Sequence, residues 1–147
     1  MKTVFLTNKF KNLWKNGMQL ENTYLVAPPG MKYALKIGGD DVTVKNVIIH
    51  HASSGQGIFG HTAHNLYLEN VEVRAYGTKS GPNPCPKKVS GLAGYNCANI
   101  FIDKSNNVRM HNIRAEGGSK GISMKRSPDC KLTNLDVRNT RGAYPGG

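Results

Sequence analysis

The feature that most limits what this chain can fold into is a sequence repeat that is anchored on asparagine. Four copies align clearly and a weaker copy precedes them. In each clear copy, apolar residues occupy alternate positions on both sides of the anchor. The anchors are Asn22, Asn46, Asn70, Asn112 and Asn134, and the successive intervals between them are 24, 24, 42 and 22. Because alternation with a period of two is typical of β-strands, the sequence predicts strands that recur with this repeat.

The apolar phase shifts by one residue at each anchor. In the second copy, for example, Val44 stands two positions before Asn46 and Val47 stands directly after it. A single residue in the left-handed conformation would produce this shift, and asparagine adopts that conformation more readily than most residues. Each copy is therefore predicted to form a strand, an asparagine corner and a second strand.

A glycine followed by an aliphatic residue is predicted to begin a third short strand in the repeat. This marker occurs at Gly57-Ile58, Gly91-Leu92 and Gly121-Ile122. Three strands in each repeat predict a coil whose turns stack in parallel at about 4.8 Å. Stacking would bring the anchor asparagines into one column, where their side-chain amides can hydrogen-bond along the stack.

The long interval from Asn70 to Asn112, with Gly91 as the marker of the third strand in that turn, predicts two insertions, near residues 78–88 and 101–106. The predicted organisation is an N-terminal capping or docking arm over 1–17, a parallel β-helix over 18–140 and a C-terminal tail over 141–147. Within the arm, the spacing of Phe10, Leu13 and Trp14 fits one face of a short helix, although a strand is also possible.

This pattern resembles the right-handed parallel β-helix of pectate lyases, polygalacturonases and phage tailspikes. The resemblance spans residues 18–138 and rests on the strand pairs around asparagine and on the Gly-Ile-Phe, Gly-Leu-Ala and Gly-Ile-Ser segments. It implies an all-β fold that consists of a short solenoid of about five turns. The right-handedness of this solenoid is implied by the family alone. Such folds carry many activities and many structural roles, so the resemblance is more specific for fold than for function.

The third-strand face is where β-helix enzymes of this kind often carry their site. Its predicted outward residues are Phe59, His61, Ala93, Tyr95, Ser123 and Lys125. None is an acid, whereas glycoside hydrolysis generally needs two carboxylates. We therefore expect no catalytic residue and no cofactor. The histidines of His50-His51 and of His61-Thr-Ala-His64 suggest a metal, but a metal site also needs converging ligands and a third partner, so none is expected. The main enzymatic alternative is a lyase with Lys125 or Arg126 as base and Tyr95 or His61 as acid.

The chain is strongly basic, since 20 Lys and Arg residues against 9 Asp and Glu residues give a formal charge of +11. The cations are not interleaved with aromatic residues as nucleic-acid binding requires, so an acidic protein surface or an acidic polysaccharide is the expected partner. Candidate docking residues are Lys2, Lys9, Lys11, Lys15, Lys79, Lys87 and Lys88.

No apolar run is long enough for a membrane span or a signal peptide. Three cysteines without a CxxC motif do not favour a disulfide framework.

The function expected from these observations is structural and non-enzymatic. The resemblance implies a homotrimeric component of a virion surface, either a capsid decoration (cement) protein or a tailspike-like protein, that docks on an acidic capsid shell through its basic surface. The alternative is a carbohydrate-active or carbohydrate-binding β-helix, similar to a polysaccharide lyase, that acts on acidic glycans. Its candidate glycan face consists of Phe59, His61, Tyr95, Lys125 and Arg126.

Overall fold

The computed structural model describes residues 1–52, 54–76, 97–118, 120–138 and 140, which form a parallel β-solenoid of about five turns. The described residues contain eleven strands and no helix, so the predicted all-β class is confirmed. The strands are β1 (Lys2–Phe5), β2 (Lys11–Leu13), β3 (Gln19–Val26), β4 (Tyr33–Ile37), β5 (Thr43–Ala52), β6 (Gln56–His61), β7 (Tyr67–Tyr76), β8 (Ala98–Asp103), β9 (Arg109–Glu116), β10 (Lys120–Lys125) and β11 (Lys131–Arg138).

The strands form two sheets in which every neighbouring pair is parallel. The six-stranded sheet has the order β1-β3-β5-β7-β9-β11, and the five-stranded sheet has the order β2-β4-β6-β8-β10. Alternate strands therefore belong to alternate sheets, as in a coil that contributes one strand to each sheet per turn. The apolar residues line the interior between the sheets, where columns such as Leu35, Ile58 and Ile100 are fully buried.

Each predicted pair of strands in the six-stranded sheet is one strand that bends at its asparagine. The five anchor asparagines have φ between 51° and 58°, and in β5, β7 and β9 alternate apolar residues on both sides of the bend are buried in the core. Four hydrogen bonds join the anchors into a ladder. The Nδ2 of Asn46, Asn70, Asn112 and Asn134 donates to the Oδ1 of the preceding anchor, over 3.2, 2.6, 3.2 and 3.0 Å respectively.

A second column of left-handed residues, which was not predicted from the sequence, lies five positions before the first. Its members, with φ between 56° and 77°, are Gly17, Asp41, Asn65, Asn107 and Asp129. Asn65 Nδ2 donates to Asp41 Oδ1 at 3.1 Å, and Asn107 Nδ2 donates to Asn65 Oδ1 at 2.8 Å. The constant offset from the anchors was the signal that could have revealed this corner.

The predicted insertion near 101–106 is wrong. Ile100 in β8 pairs with Ile58 in β6 and with Ile122 in β10, so Asn99 occupies the position in this turn that Gly57 and Gly121 hold in theirs. Residues 101–103 belong to β8 itself. The extra residues of the long step therefore lie between β7 and β8, and the predicted insertion near 78–88 lies outside the described residues.

The replacement of glycine by Asn99 has a packing reason. A Cβ on Gly57 would collide with the side chain of Val73, and a Cβ on Gly121 would collide with a valine in the same way. In the turn that contains Asn99, the register places Ala115 at the position of these two valines. The smaller alanine leaves room for a side chain, so the glycine marker disappears in this turn.

The N-terminal segment is not a helix, because residues 2–5 and 11–13 form β1 and β2. β1 pairs with β3, and β2 pairs with β4, so pairing in the solenoid begins at Lys2 and not at residue 18. The spacing of Phe10, Leu13 and Trp14 follows a strand instead, with Leu13 buried and Trp14 exposed. The predicted tail over 141–147 lies outside the described residues.

Two further findings bear on the sequence predictions. Cys97 is disulfide-bonded, whereas Cys130 is a free, half-buried thiol. In the part of the chain that the structure describes, no helix is long and apolar enough to cross a membrane.

Candidate binding face on the five-stranded sheet

The outer side of β2, β4, β6, β8 and β10, which we call the five-stranded face, carries aromatic and charged side chains in register. Phe59 pairs with Phe101 in the next turn, and His61 pairs with Asp103. This corrects the prediction that Ala93 and Tyr95 occupy these positions and that the face contains no acid. Ala93 and Tyr95 lie outside the described residues.

A row of four aromatic rings runs along the solenoid axis on this face. The ring centroids are 4.6 Å apart for Phe10 and Tyr33, 5.4 Å for Tyr33 and Phe59, and 5.5 Å for Phe59 and Phe101. These spacings are those of favourable aromatic pairs. The first three rings are half-buried, whereas Phe101 is only 3% exposed. The row is therefore a partly exposed apolar strip that crosses four turns and is covered at its last ring.

A carboxylate fixes the position of an exposed guanidinium beside this strip. Arg126 Nε and Nη2 donate to Asp103 Oδ1 and Oδ2 at 3.0 and 2.7 Å, which is the bidentate geometry of a strong ion pair. The Asp103 side chain is 9% exposed and that of Arg126 is 60% exposed. His61 Nδ1 lies 3.6 Å from Asp103 Oδ2. One buried acid thus orients the exposed Arg126 and lies close to the His61 ring without a hydrogen bond to it.

Two lysines extend over the aromatic strip. Lys36 Nζ lies 6.0 Å from the ring centroid of Tyr33, and Lys125 Nζ lies 5.8 Å from that of Phe101. Both distances are in the range of cation–π contacts, which hold the lysine stems against the rings. Burial raises the pKa of the Tyr33 hydroxyl, so this group is a neutral hydrogen-bond donor at physiological pH. The strip is therefore bordered by positive charge and by one neutral donor.

The histidines that suggested a metal have other contacts. His51 is buried, with Nε2 at 2.7 Å from Asn99 Oδ1, and His64 Nδ1 accepts a hydrogen bond from the backbone N–H of Asn106 at 3.0 Å. Among the residues that the structure describes, no three His, Cys, Asp or Glu side chains form a group that could hold a metal ion.

The predicted docking lysines of the N-terminal segment are exposed, and they lie in the first turn of the solenoid. They are Lys2, Lys9, Lys11 and Lys15. Two exposed aromatic residues belong to the same turn: Phe5 is 72% exposed and Trp14 is 62% exposed. Lys15 Nζ lies 5.8 Å from the Trp14 ring. The other docking candidates, Lys79, Lys87 and Lys88, lie outside the described residues.

Compared with known proteins, the chain matches no protein-family model, no curated protein and no solved structure. The fold is a parallel β-solenoid, and the resemblance to pectate lyases or tailspikes rests on the repeat pattern. The functional argument therefore depends on the chemistry of the five-stranded face.

Proposed function

We propose that this protein binds an acidic polysaccharide on its five-stranded face. The observation that carries the proposal is the row of aromatic rings with the cations Lys36, Lys125 and Arg126 beside it. Aromatic rings offer a rigid apolar surface to the apolar side of a sugar ring, and Arg and Lys pair with carboxylates.

The repeated architecture favours a polymer over a small molecule. Equivalent side chains recur about every 4.8 Å along the stack, so the face offers similar contacts at successive turns. A linear glycan with a charged group on its sugar units can use several of these contacts together. The buried Asp103 lowers the net positive charge of the face, but it also fixes Arg126 in one orientation, which favours binding by reducing the entropy lost on binding.

The proposal predicts selective binding of polyuronates. Wild-type protein should bind alginate and polygalacturonate in a titration by calorimetry and should not bind neutral dextran. The double variant Lys36→Gln, Lys125→Gln removes two charges from the face and should bind at least about tenfold more weakly, because each charged contact is worth roughly 1 kcal/mol or more. The matched control is Lys2→Gln, Lys131→Gln, which removes two exposed lysines of the six-stranded sheet. Equal binding of dextran, or an equal loss in the control, would contradict the proposal.

Cleavage of the glycan would extend the proposal from binding to a lyase. Lys125 or Arg126 would then act as the base, and His61, at 3.6 Å from Asp103, as the acid. The same incubation, followed by the absorbance of unsaturated products, measures this activity directly.

The first turn supports a second candidate, the structural, homotrimeric virion component. The combination of an edge strand, the exposed Phe5 and several exposed lysines is suited to contact with another protein. A trimer in light scattering, together with binding to an acidic capsid surface that is lost on mutation of Lys2, Lys9, Lys11 and Lys15, would favour this candidate. A monomer that binds polyuronates would favour the first.

A further inference from the structure

Gly38 is a glycine that the fold does not require. Other described glycines have a conformational or steric reason: some adopt a left-handed φ, and some lie where a Cβ would collide with neighbouring atoms. The first kind are Gly17, Gly30, Gly117 and Gly118, and the second are Gly39, Gly55, Gly57, Gly60 and Gly121. Gly38 belongs to neither kind, because its φ is not left-handed and the nearest atom to an added Cβ is the carbonyl oxygen of His61 at 4.0 Å.

Gly38 lies in an outward column of the five-stranded face. Leu13 pairs with Ile37, and Ile37 pairs with Gly60, so the following residues Trp14, Gly38 and His61 occupy successive turns. Since adjacent turns are about 4.8 Å apart, Trp14, which follows β2, and His61, the last residue of β6, lie two turns or roughly 10 Å apart. The missing side chain at Gly38 leaves a notch between them, and both Gly38 and Trp14 are exposed.

We propose that this notch is a subsite that holds one sugar ring of the polysaccharide, with the Trp14 indole stacked against the ring. The inference rests on the proposed glycan-binding function and adds to it the path that the glycan takes across the face. Gly38 follows directly after β4, and without a side chain its backbone is open to close approach by a ligand. The glycan then runs along the solenoid axis, from Trp14 across Gly38 towards His61 and Arg126.

The properties of Trp14 fit this role. An indole that is 62% exposed adds apolar surface that the fold does not bury, while its two side-chain torsions cost little entropy when a ligand orders them. Lys15 Nζ, at 5.8 Å from the ring, supplies a positive charge beside the subsite for a sugar carboxylate. The subsite therefore combines a stacking surface, open space above the backbone and a cation.

The test fills the notch without disturbing the fold. Gly38→Leu places a side chain in space that is open in the protein, and Gln19→Leu is the matched control because it adds a leucine at an exposed position of the six-stranded sheet. We expect Gly38→Leu to bind polygalacturonate at least tenfold more weakly and the control to bind as wild type does. Thermal unfolding of each variant checks folding, and the smaller Gly38→Ala serves if Gly38→Leu is unstable.

A second variant tests the indole itself. Trp14→Ala should weaken binding about as much as Gly38→Leu does. Phe5→Ala, which removes a similarly exposed ring from the other sheet, should leave binding unchanged. Trp14 is the only tryptophan of the chain, so its fluorescence reports on this position alone. Polygalacturonate should shift its emission to shorter wavelength and protect it from acrylamide quenching.

The outcomes separate the two proposals. If wild type binds polyuronates and the Lys36→Gln, Lys125→Gln variant does not, but Gly38→Leu and Trp14→Ala bind normally, the face is a glycan site and the notch is not part of it. If wild type binds no polyuronate, both proposals are wrong. Weaker binding by both notch variants, with unchanged binding by Gln19→Leu and Phe5→Ala, supports the subsite.

Discussion

At the scale of single residues, the described chain contains one strongly perturbed histidine. Burial lowers the pKa of His51 to about 4, and this effect outweighs the hydrogen bonds with Asn99 and with the carbonyl of Ala52, which raise it. Asn99 Nδ2 donates to the carbonyl of Gly117 at 3.0 Å, so its Oδ1 faces the His51 ring. Both partners of the ring are therefore acceptors, and the neutral ring, which carries one proton, can donate to only one of them.

The shifted pKa predicts that the protein loses stability in mild acid. The folded pKa of His51 lies below the usual 6.5, so the contribution of this residue is fully present above pH 6.5 and is lost as pH falls from 6.5 through 4. A shift of this size corresponds to about 3 kcal/mol in the free energy of unfolding. Urea unfolding of wild type at pH 7 and pH 4 measures the loss, and His51→Gln should show a smaller one.

The exposed His111 provides the control for this prediction. His111→Gln should retain the full acid sensitivity of wild type, because the ring is at the surface. If His51→Gln and wild type lost equal stability between pH 7 and pH 4, His51 would not be the source. Titration of the His51 ring protons by NMR provides a second measurement if the variant does not fold.

Single residues also show how much the sequence could reveal. The ladder asparagines were predictable because one residue type recurs at the same position of each repeat. Phe101 and Asp103 were not placed correctly, because the glycine marker fails where Ala115 leaves room for Asn99. The available signal was the constant interval between the other two markers and the ladder asparagines that follow them, which leads from Asn112 back to Asn99. The open space at Gly38 could not be predicted, because it depends on how the neighbouring turns pack around that residue.

At the scale of structural elements, the asparagine ladder holds the bends of the six-stranded sheet in register. Asn70 in the middle of the ladder makes two of its bonds, one to Asn46 and one from Asn112, whereas Asn134 makes one of the four. Both residues have a φ of 53°. This left-handed conformation costs roughly 1–2 kcal/mol for a residue such as alanine, which has a Cβ but no side chain that can form a local hydrogen bond. The energetic contribution of the ladder and that of the backbone conformation can therefore be separated.

Substitutions at the ladder should follow a definite order. Asn70→Ala loses two hydrogen bonds and strains the backbone, so we expect a loss of roughly 2–4 kcal/mol in the free energy of unfolding. Asn70→Gly removes the same bonds but tolerates the conformation, and Asn134→Ala removes one bond, so both should cost less. Urea unfolding measures all three, and an Asn70→Gly variant as unstable as Asn70→Ala would show that backbone strain is not a component.

At the scale of the whole molecule, the solenoid distributes charge unevenly. Several arginines of the six-stranded sheet are paired with acids: Arg74 with Glu72 at 3.0 Å, Arg114 with Asp136 at 3.4 Å, and Arg138 with Asp136 at 2.7 Å. These exposed pairs add little stability. Exposed lysines also lie on the five-stranded face and in the first turn, which are the surfaces of the two proposed functions.

The stability of the solenoid is also uneven along its axis. Turns in the middle contact neighbours on two sides, and the buried residues of β5 and β7 reflect this, whereas β11 has Leu135 and Val137 exposed by 41% and 45%. In a stack with nearest-neighbour contacts, the ends open first. Hydrogen exchange followed by mass spectrometry should therefore show slow exchange in β5 and β7 and fast exchange in β1 and β11. Uniform protection along the stack would contradict this.

The long sequence interval between Asn70 and Asn112 indicates where the chain can accept insertions or deletions. The chain between these two asparagines is much longer than that between Asn22 and Asn46, yet both pairs hydrogen-bond over 3.2 Å, and β6 still pairs with β8. Contacts between turns, and not the length of the connection, determine the register. The connection between β7 and β8 is therefore a suitable position for insertions: evolution or an engineer can lengthen, shorten or exchange it while the five-stranded face keeps its geometry.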